Sequence, residues 1–182
     1  MTLYLGDLHG QTDLIPRDRP VVQVGDMGIG FVPIPVLPNL RWIRGNHDNP
    51  ELARQHPCYI GDWKLEKGVL YLSGAGSIDK ASRTEHVSWW REEELSTLQM
   101  RTVLGIENPV HTVVAHDIPL FAYGEVCGWP VRDEFATPRF LAVVAEKFRP
   151  AKWVAGHHHV SKQFKKAGID FTVLGVGELR EV

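Results

Sequence analysis

The sequence predicts an α/β fold of two packed sheets with helices outside them, and three observations carry that expectation. Short β-type runs recur along the chain and stop abruptly in polar, glycine-marked turns. Helical periodicity is confined to two later segments. The first connection between β runs is too short for an ordinary crossover helix. With 182 residues, 43% of them hydrophobic, the chain is long enough for one sizeable core and short for two. A single domain spanning residues 1–182 is therefore expected.

The runs come in a fixed order. Leu3-Tyr4-Leu5 leads into Gly6-Asp7-Leu8-His9-Gly10, and Val21-Val22-Gln23-Val24 into Gly25-Asp26-Met27-Gly28. Leu40-Arg41-Trp42-Ile43 leads into Arg44-Gly45-Asn46-His47-Asp48, and Val69-Leu70-Tyr71-Leu72 into Ser73-Gly74-Ala75-Gly76. Residues 111–115 lead into His116-Asp117, and Trp153-Val154-Ala155 into Gly156-His157-His158-His159. Residues 163–165 and 170–174, around Ala167-Gly168, read as a closing hairpin. Residues 11–20 leave room for one helical turn, which Pro16 interrupts. A helix is expected over 92–104, with Leu95 and Leu98 on its apolar face, and another over 138–148 from a Thr137-Pro138 start. Residues 31–38, with three prolines, form an irregular loop.

Lys plus Arg total 20 and Asp plus Glu total 22, a formal charge of -2. That balance lacks the concentrated basic surface a phosphate backbone selects for, which weighs against long nucleic acids. No apolar stretch approaches the ~20 residues that cross a bilayer. The first run already leads into a glycine turn, so no secretory leader is expected, and a cytoplasmic, reducing setting is. The two cysteines, Cys58 and Cys127, fit no zinc or disulfide pattern and are expected as buried thiols.

Asp7, His9, Asp26, Asn46, His116, His157 and His159 all follow β runs, where strand ends converge on one edge of a sheet. The set holds carboxylates, an amide oxygen and imidazoles, but no thiolate. Such a mixture suits Mn, Fe, Ni, Co or Zn in a hydrolytic centre better than a structural zinc site. Each residue alone is weak evidence, since capping and turn roles are commoner. The ordered set, with a β run before each member, is not.

The order GDLHG, GDMG, GNHD, a lone His after a strand, and GHHH resembles the calcineurin-like metallophosphoesterase superfamily, over Gly6 to His159. Ser77-Ile78-Asp79-Lys80 followed by Ser88-Trp89-Trp90 is similar to its small bacterial and phage members. The resemblance implies a four-layer α/β/β/α sandwich of two mixed sheets, with a dinuclear metal site at the strand ends. It implies two divalent transition metals, manganese first among the candidates. Asp26 would bridge them, with Asp7, His9 and His159 completing one site and Asn46, His116 and His157 the other. A hydroxide between the metals would attack a phosphate ester, mono- or diester, of a small molecule, nucleotide or phosphopeptide.

His47 is then the candidate general acid, oriented by Asp48 or another carboxylate. Arg44 is either a phosphate contact, as in RGNH-type phosphatases, or a solvent-facing strand end. Protein Ser/Thr phosphatases read GDxVDRG where this chain has Gly25-Asp26-Met27-Gly28-Ile29-Gly30. The carboxylate and arginine of that motif have no counterpart here. Asp117 is expected to support His116, and His158 to point away from the metals, as neighbours in an extended segment do. Trp89 and Trp90 are expected in the core, and Phe121, Tyr123 and Trp129 along the cleft. Competing functions are a nuclease or cyclic-nucleotide phosphodiesterase with the same metal chemistry, and a non-catalytic scaffold.

Overall fold

The computed structural model of this chain describes residues 2–127 and 135–182. Its strands form two mixed sheets. In the first, β1 (Leu3–Leu5), β2 (Val21–Gln23) and β3 (Leu40–Trp42) are parallel neighbours. Residues Leu179–Glu181 pair antiparallel with β1 at its edge, as β10. The second sheet contains β4 (Trp63–Glu66), β5 (Val69–Leu72), β6 (Thr112–Ala115), β7 (Lys152–Ala155), β8 (Lys162–Lys166) and β9 (Ile169–Val173) in the order β4-β5-β6-β7-β9-β8. Its four inner strands are parallel and its two edge strands antiparallel to their neighbours.

Alternation along the strands explains how both sheets are buried. Tyr4, Val22, Val24 and Ile43 share a cluster with Tyr71, Val114, Val154 and Leu174, so the two sheets meet through one core. The intervening residues of the second sheet, among them Leu70, Val113, Trp153 and Phe171, form another core. That core includes Phe140, Leu141 and Val144 of a long helix and Val103 of a shorter one. Leu5, Val21, Leu40 and Trp42 of the first sheet pack with Leu8, Met27 and Ala53 in a third. Lysines on the outermost β8 leave that edge unattractive for pairing with another chain.

The helices are α1 (Pro50–Gln55), α2 (Thr97–Leu104), α3 (Tyr123–Val126) and α4 (Ala136–Phe148). Asn49 caps α1 by accepting from the Glu51 and Leu52 amides, with Pro50 at the first position. The expected helix over 92–104 needs correction. Ser96 and Gln99 form a capping box, so α2 begins at Thr97. Leu95 is buried ahead of it, while Leu98 lies 75% exposed. The first connection contains a single 3-10 turn at Thr12–Leu14, and Ala167-Gly168 closes the β8–β9 hairpin with both residues at positive φ.

Phe121 stacks edge-on against Phe171 in the core instead of lining a cleft. Trp90 is buried and Trp89 half-buried. Trp129 lies outside the described residues. Both cysteines are free and partly buried. No helix among the described residues is long and apolar enough to cross a membrane.

Candidate metal centre

The turns after β1, β2, β3, β6 and β7 bring all seven nominated side chains together. Asp7, His9, Asp26 and His159 each offer a ligand atom within 4.8 Å of the others. The Nε2 atoms of His9 and His159 are 2.9 Å apart, and His159 Nε2 is 3.2 Å from Asp7 Oδ2. On the other side of Asp26, His116 Nε2 lies 3.2 Å from Asn46 Oδ1 and 3.5 Å from Asp26 Oδ1. The His157 ring is 5.0 Å from that of His116, centre to centre. Asp26 faces both groups, with Oδ2 3.9 Å from His9 Nε2 and Oδ1 toward His116.

The backbone is bent to aim these side chains. His9, Asp26, His157 and His159 have φ of 45°, 54°, 67° and 55°. Non-glycine residues adopt this left-handed region only at a cost, and its concentration at four of the seven nominated residues marks a site where aim outranks local ease. The left-handed turns at His157 and His159 also correct the expectation of an extended segment there. His158 does turn away, its Nε2 donating to Asp117 Oδ1 (3.0 Å) and its Nδ1 meeting Cys127 Sγ (3.3 Å). Two glycines are dictated by close approach. A Cβ on Gly45 would stand 2.1 Å from Asp26 Oδ1, and one on Gly156 would stand 2.1 Å from Asp7 Oδ1.

Electrostatics follow from burial and crowding. Burial raises the Asp26 carboxyl, but the charge and hydrogen bond of His116, then His47, outweigh it and hold Asp26 below the usual carboxylate range. Burial lowers His116, yet Asp26 and then Asp7 push it up to about 10. His157 is drawn down to about 4 by burial, with His116 and His158 adding to the shift against Asp117. A neutral His157 offers a free lone pair. A cation at His116 would have to displace a proton, the usual coupling of metal binding to protonation. The hydrogen bond of His159 to Asp7 raises that imidazole.

Three supporting roles differ from the sequence expectation. His116 is oriented by the Val24 carbonyl, 2.8 Å from Nδ1, which leaves Nε2 for the cluster. Asp117 instead holds His158, the Tyr123 hydroxyl (2.6 Å) and the Ile118 amide. Asp48 does not orient His47. Its carboxylate accepts from the amides of Met27, Gly28, Ile29 and Gly45, tying two ligand loops together, and burial with the nearby Asp26 charge raises it to about 6.

His47 meets Arg83, whose Nη2 is 2.6 Å from His47 Nε2. A guanidinium only donates, so Nε2 is the acceptor and the resting ring carries its proton on Nδ1. His47 is thus not held at rest as an acid through Nε2, and burial lowers its pKa, with Arg83, His9 and His116 acting in the same direction against Asp26.

Arg44 is neither a phosphate contact nor a solvent-facing strand end. Its side chain is 0% exposed, bound to Asp62 Oδ1 (3.0 Å) and the Glu93 carbonyl (2.7 Å). Two residues past the end of β3, this side chain points into the interior, where a buried cation needs a carboxylate.

Sequence reasoning missed Arg83 and Glu93, and gave Ser77 no role. Ser77 accepts from Asn46 Nδ2 (3.0 Å) and donates to Glu93. Asp79, without a role before, pairs with Arg83 at 2.8 Å. The cluster opens on a cleft of about 880 Å3, whose walls include Asn46, His47, Arg83, Tyr123, Cys127 and Phe135. No protein-family model matches this chain, and no curated protein matches its sequence.

Proposed function

We propose that this chain is a metal-dependent phosphoesterase of the calcineurin-like kind, its sheets and helices forming a four-layer α/β/β/α sandwich with two divalent transition metals at the strand ends. The observation that carries the reading is the position of Asp26, 1% exposed, with one oxygen toward each of two donor groups. Imidazole nitrogens facing one another at 2.9 Å beside two buried carboxylates form a donor set that a cation fits, and the mixture of N and O donors suits manganese first, then Fe, Ni, Co or Zn.

Asp7, His9 and His159 would hold one ion, Asn46, His116 and His157 the other, and Asp26 both. When bound, the pair supplies Lewis-acid stabilisation of phosphoryl oxygens and a nucleophile active at neutral pH. The residues of this chain do the rest. Val24 and Ser77 fix the donor atoms of His116 and Asn46, and Asp48 keeps the loops of Asp26 and Asn46 in register. His47 stands on the cleft wall as the proton-handling group nearest the leaving oxygen, once Arg83 releases its Nε2.

The test is metal-stripped protein resupplied with Mn, Fe, Ni, Co or Zn and assayed on phosphomonoesters, phosphodiesters, nucleotides and phosphopeptides, with metal content measured alongside. About two ions per chain and metal-dependent hydrolysis are expected. Full activity with a reproducible single ion overturns the shared-carboxylate arrangement. Loaded, folded protein inert on every ester points to a scaffold.

A further inference from the structure

We infer that Arg83 is the cleft's phosphoryl-binding cation and that it favours monoesters over diesters, an inference that rests on the phosphoesterase reading above. Among the described residues lining the cleft, Arg83 alone is a lysine or arginine. Arg44, which the sequence nominated, is spent in the interior.

The guanidinium of Arg83 is poised rather than consumed. Its side chain is 9% exposed, and three groups hold it: Asp79 Oδ2 at 2.8 Å, His47 Nε2 at 2.6 Å and the Ser88 carbonyl at 3.3 Å. Asp79 is itself 49% exposed, so water weakens that pair. His47 is a neutral acceptor. A phosphoryl oxygen is an anionic one, so toward the guanidinium it adds ion pairing to the hydrogen bond that neutral His47 offers. A phosphate entering beside His47 therefore competes well for the same N–H. The site is also in the right place, since His47 follows Asn46 directly and its ring lies 5.2 Å from that of His9, centre to centre. Taking up the phosphate releases His47 Nε2 in the same movement, which couples substrate binding to the freeing of the imidazole.

The preference for monoesters follows from charge and atom supply. A monoester presents three terminal oxygens and close to two negative charges at neutral pH, its second pKa being about 6. A diester presents two such oxygens and one charge, and brings a second substituent against the wall that Arg83 and Ile78 help to form. Whatever oxygens the proposed metals would claim, the monoester has more left for a guanidinium.

The experiment compares wild type, Arg83→Ala and Arg83→Lys, loaded with manganese, on p-nitrophenyl phosphate and bis(p-nitrophenyl) phosphate, with inorganic phosphate as competitive inhibitor. Metal content and melting temperature are measured for each. Arg83→Ala should keep its metals and raise both KM for the monoester and the inhibition constant of phosphate by roughly ten- to a hundredfold, the scale of a lost hydrogen bond to a charged group. The diester should change by less than about threefold, because it draws less on that bond. Arg83→Lys should recover part of the phosphate affinity, and added guanidinium ion should partly restore Arg83→Ala. Equal losses on both esters in kcat, with phosphate inhibition unchanged, would overturn the inference and leave Arg83 as a positioning residue for His47. Loss of metal from Arg83→Ala would overturn it too. If fully loaded wild type hydrolyses neither ester nor any other phosphate ester, the phosphoesterase reading itself is what fails.

Discussion

Asp26 and Asp62 are both carboxylates set among cationic or imidazole side chains near the ends of the strands, yet they are built on opposite plans. Every oxygen of Asp62 is taken by the protein. Oδ1 accepts from Arg44 Nε and the Tyr59 hydroxyl, and Oδ2 from Arg54 Nε and Gln99 Nε2, all at 2.9–3.0 Å. None of those residues has a left-handed backbone. Around Asp26 the donor atoms are crowded, the His9 and His159 nitrogens meeting at 2.9 Å, and four of the seven nominated ligands are left-handed. An unstrained carboxylate with every oxygen paired adds stability, although Arg44 Nη2 beside it is buried without a hydrogen bond among the described residues. Crowded lone-pair atoms aimed by strained backbone are what a ligand site requires. The comparison also explains Arg44, whose cation belongs to the stable cluster.

The largest effect should come from Asp26→Asn. Losing the shared charge weakens both donor groups, and activity should fall on the order of 10²–10³-fold, the scale seen when a transition-state electrostatic contact is removed. Manganese should raise the melting temperature of wild type, as any ligand specific to the folded state does, and that rise should vanish in Asp26→Asn. Near-normal metal content and activity in the variant would remove Asp26 from the bridging role.

Asp62→Asn should do the reverse. It leaves Arg44 buried without its carboxylate, which destabilises by about 3–5 kcal/mol, while the manganese-induced rise in melting temperature persists. The pH dependence has a definite sign. Burial would raise the Asp62 carboxyl, but Arg44, then Arg54 and Tyr59, hold it below the usual range. A depressed carboxyl contributes its stability above the unfolded value of about 3.9 and loses it as pH falls through the folded value. The gap between wild type and Asp62→Asn should therefore be steady near neutral pH and close below about pH 4. A gap that widens toward acid would show that Asp62 is not the paired anion described here.

The gathering of the nominated side chains at one place was legible because the signal is local. A chemistry-bearing residue after an alternating run needs only the run to find its place, and that held for Asp7, Asp26, Asn46 and His116 alike. The hairpin at Ala167-Gly168 and the stunted turn before Pro16 were legible for the same reason. Longer-range facts were not. Arg83 reaches His47 across 36 positions, and Glu93 reaches Ser77 across 16. No periodicity encodes such contacts, because irregular loops carry them. Arg44 was misread because a strand-end cation looks the same whether it meets solvent or Asp62. The start of α2 was legible after all. Ser96-Thr97-Leu98-Gln99 has the spacing of a capping box, and weighing it above periodicity would have freed Leu98 from the core.

The smallest effect tests how finely the centre is tuned. Ser77 has one hydroxyl hydrogen, and it goes to Glu93, whose other oxygen accepts the Ser77 amide at 3.0 Å. The hydroxyl oxygen is then free only to accept, which it does from Asn46 Nδ2. That polarity decides which way the Asn46 amide faces, leaving Oδ1 toward His116. In Ser77→Ala the hydroxyl is gone and the amide can turn its nitrogen inward, where it repels a cation. The variant should lose about 1 kcal/mol of stability, one ordinary hydrogen bond. Its affinity for one of the two metals should fall about 10–100-fold, the usual penalty for losing a group that orients a ligand. The other proposed ion would keep Asp7, His9 and His159 and should bind as before, so a manganese titration should split into two phases. Equal weakening of both phases, or no change in either, would mean that Asn46 does not depend on Ser77 for its orientation.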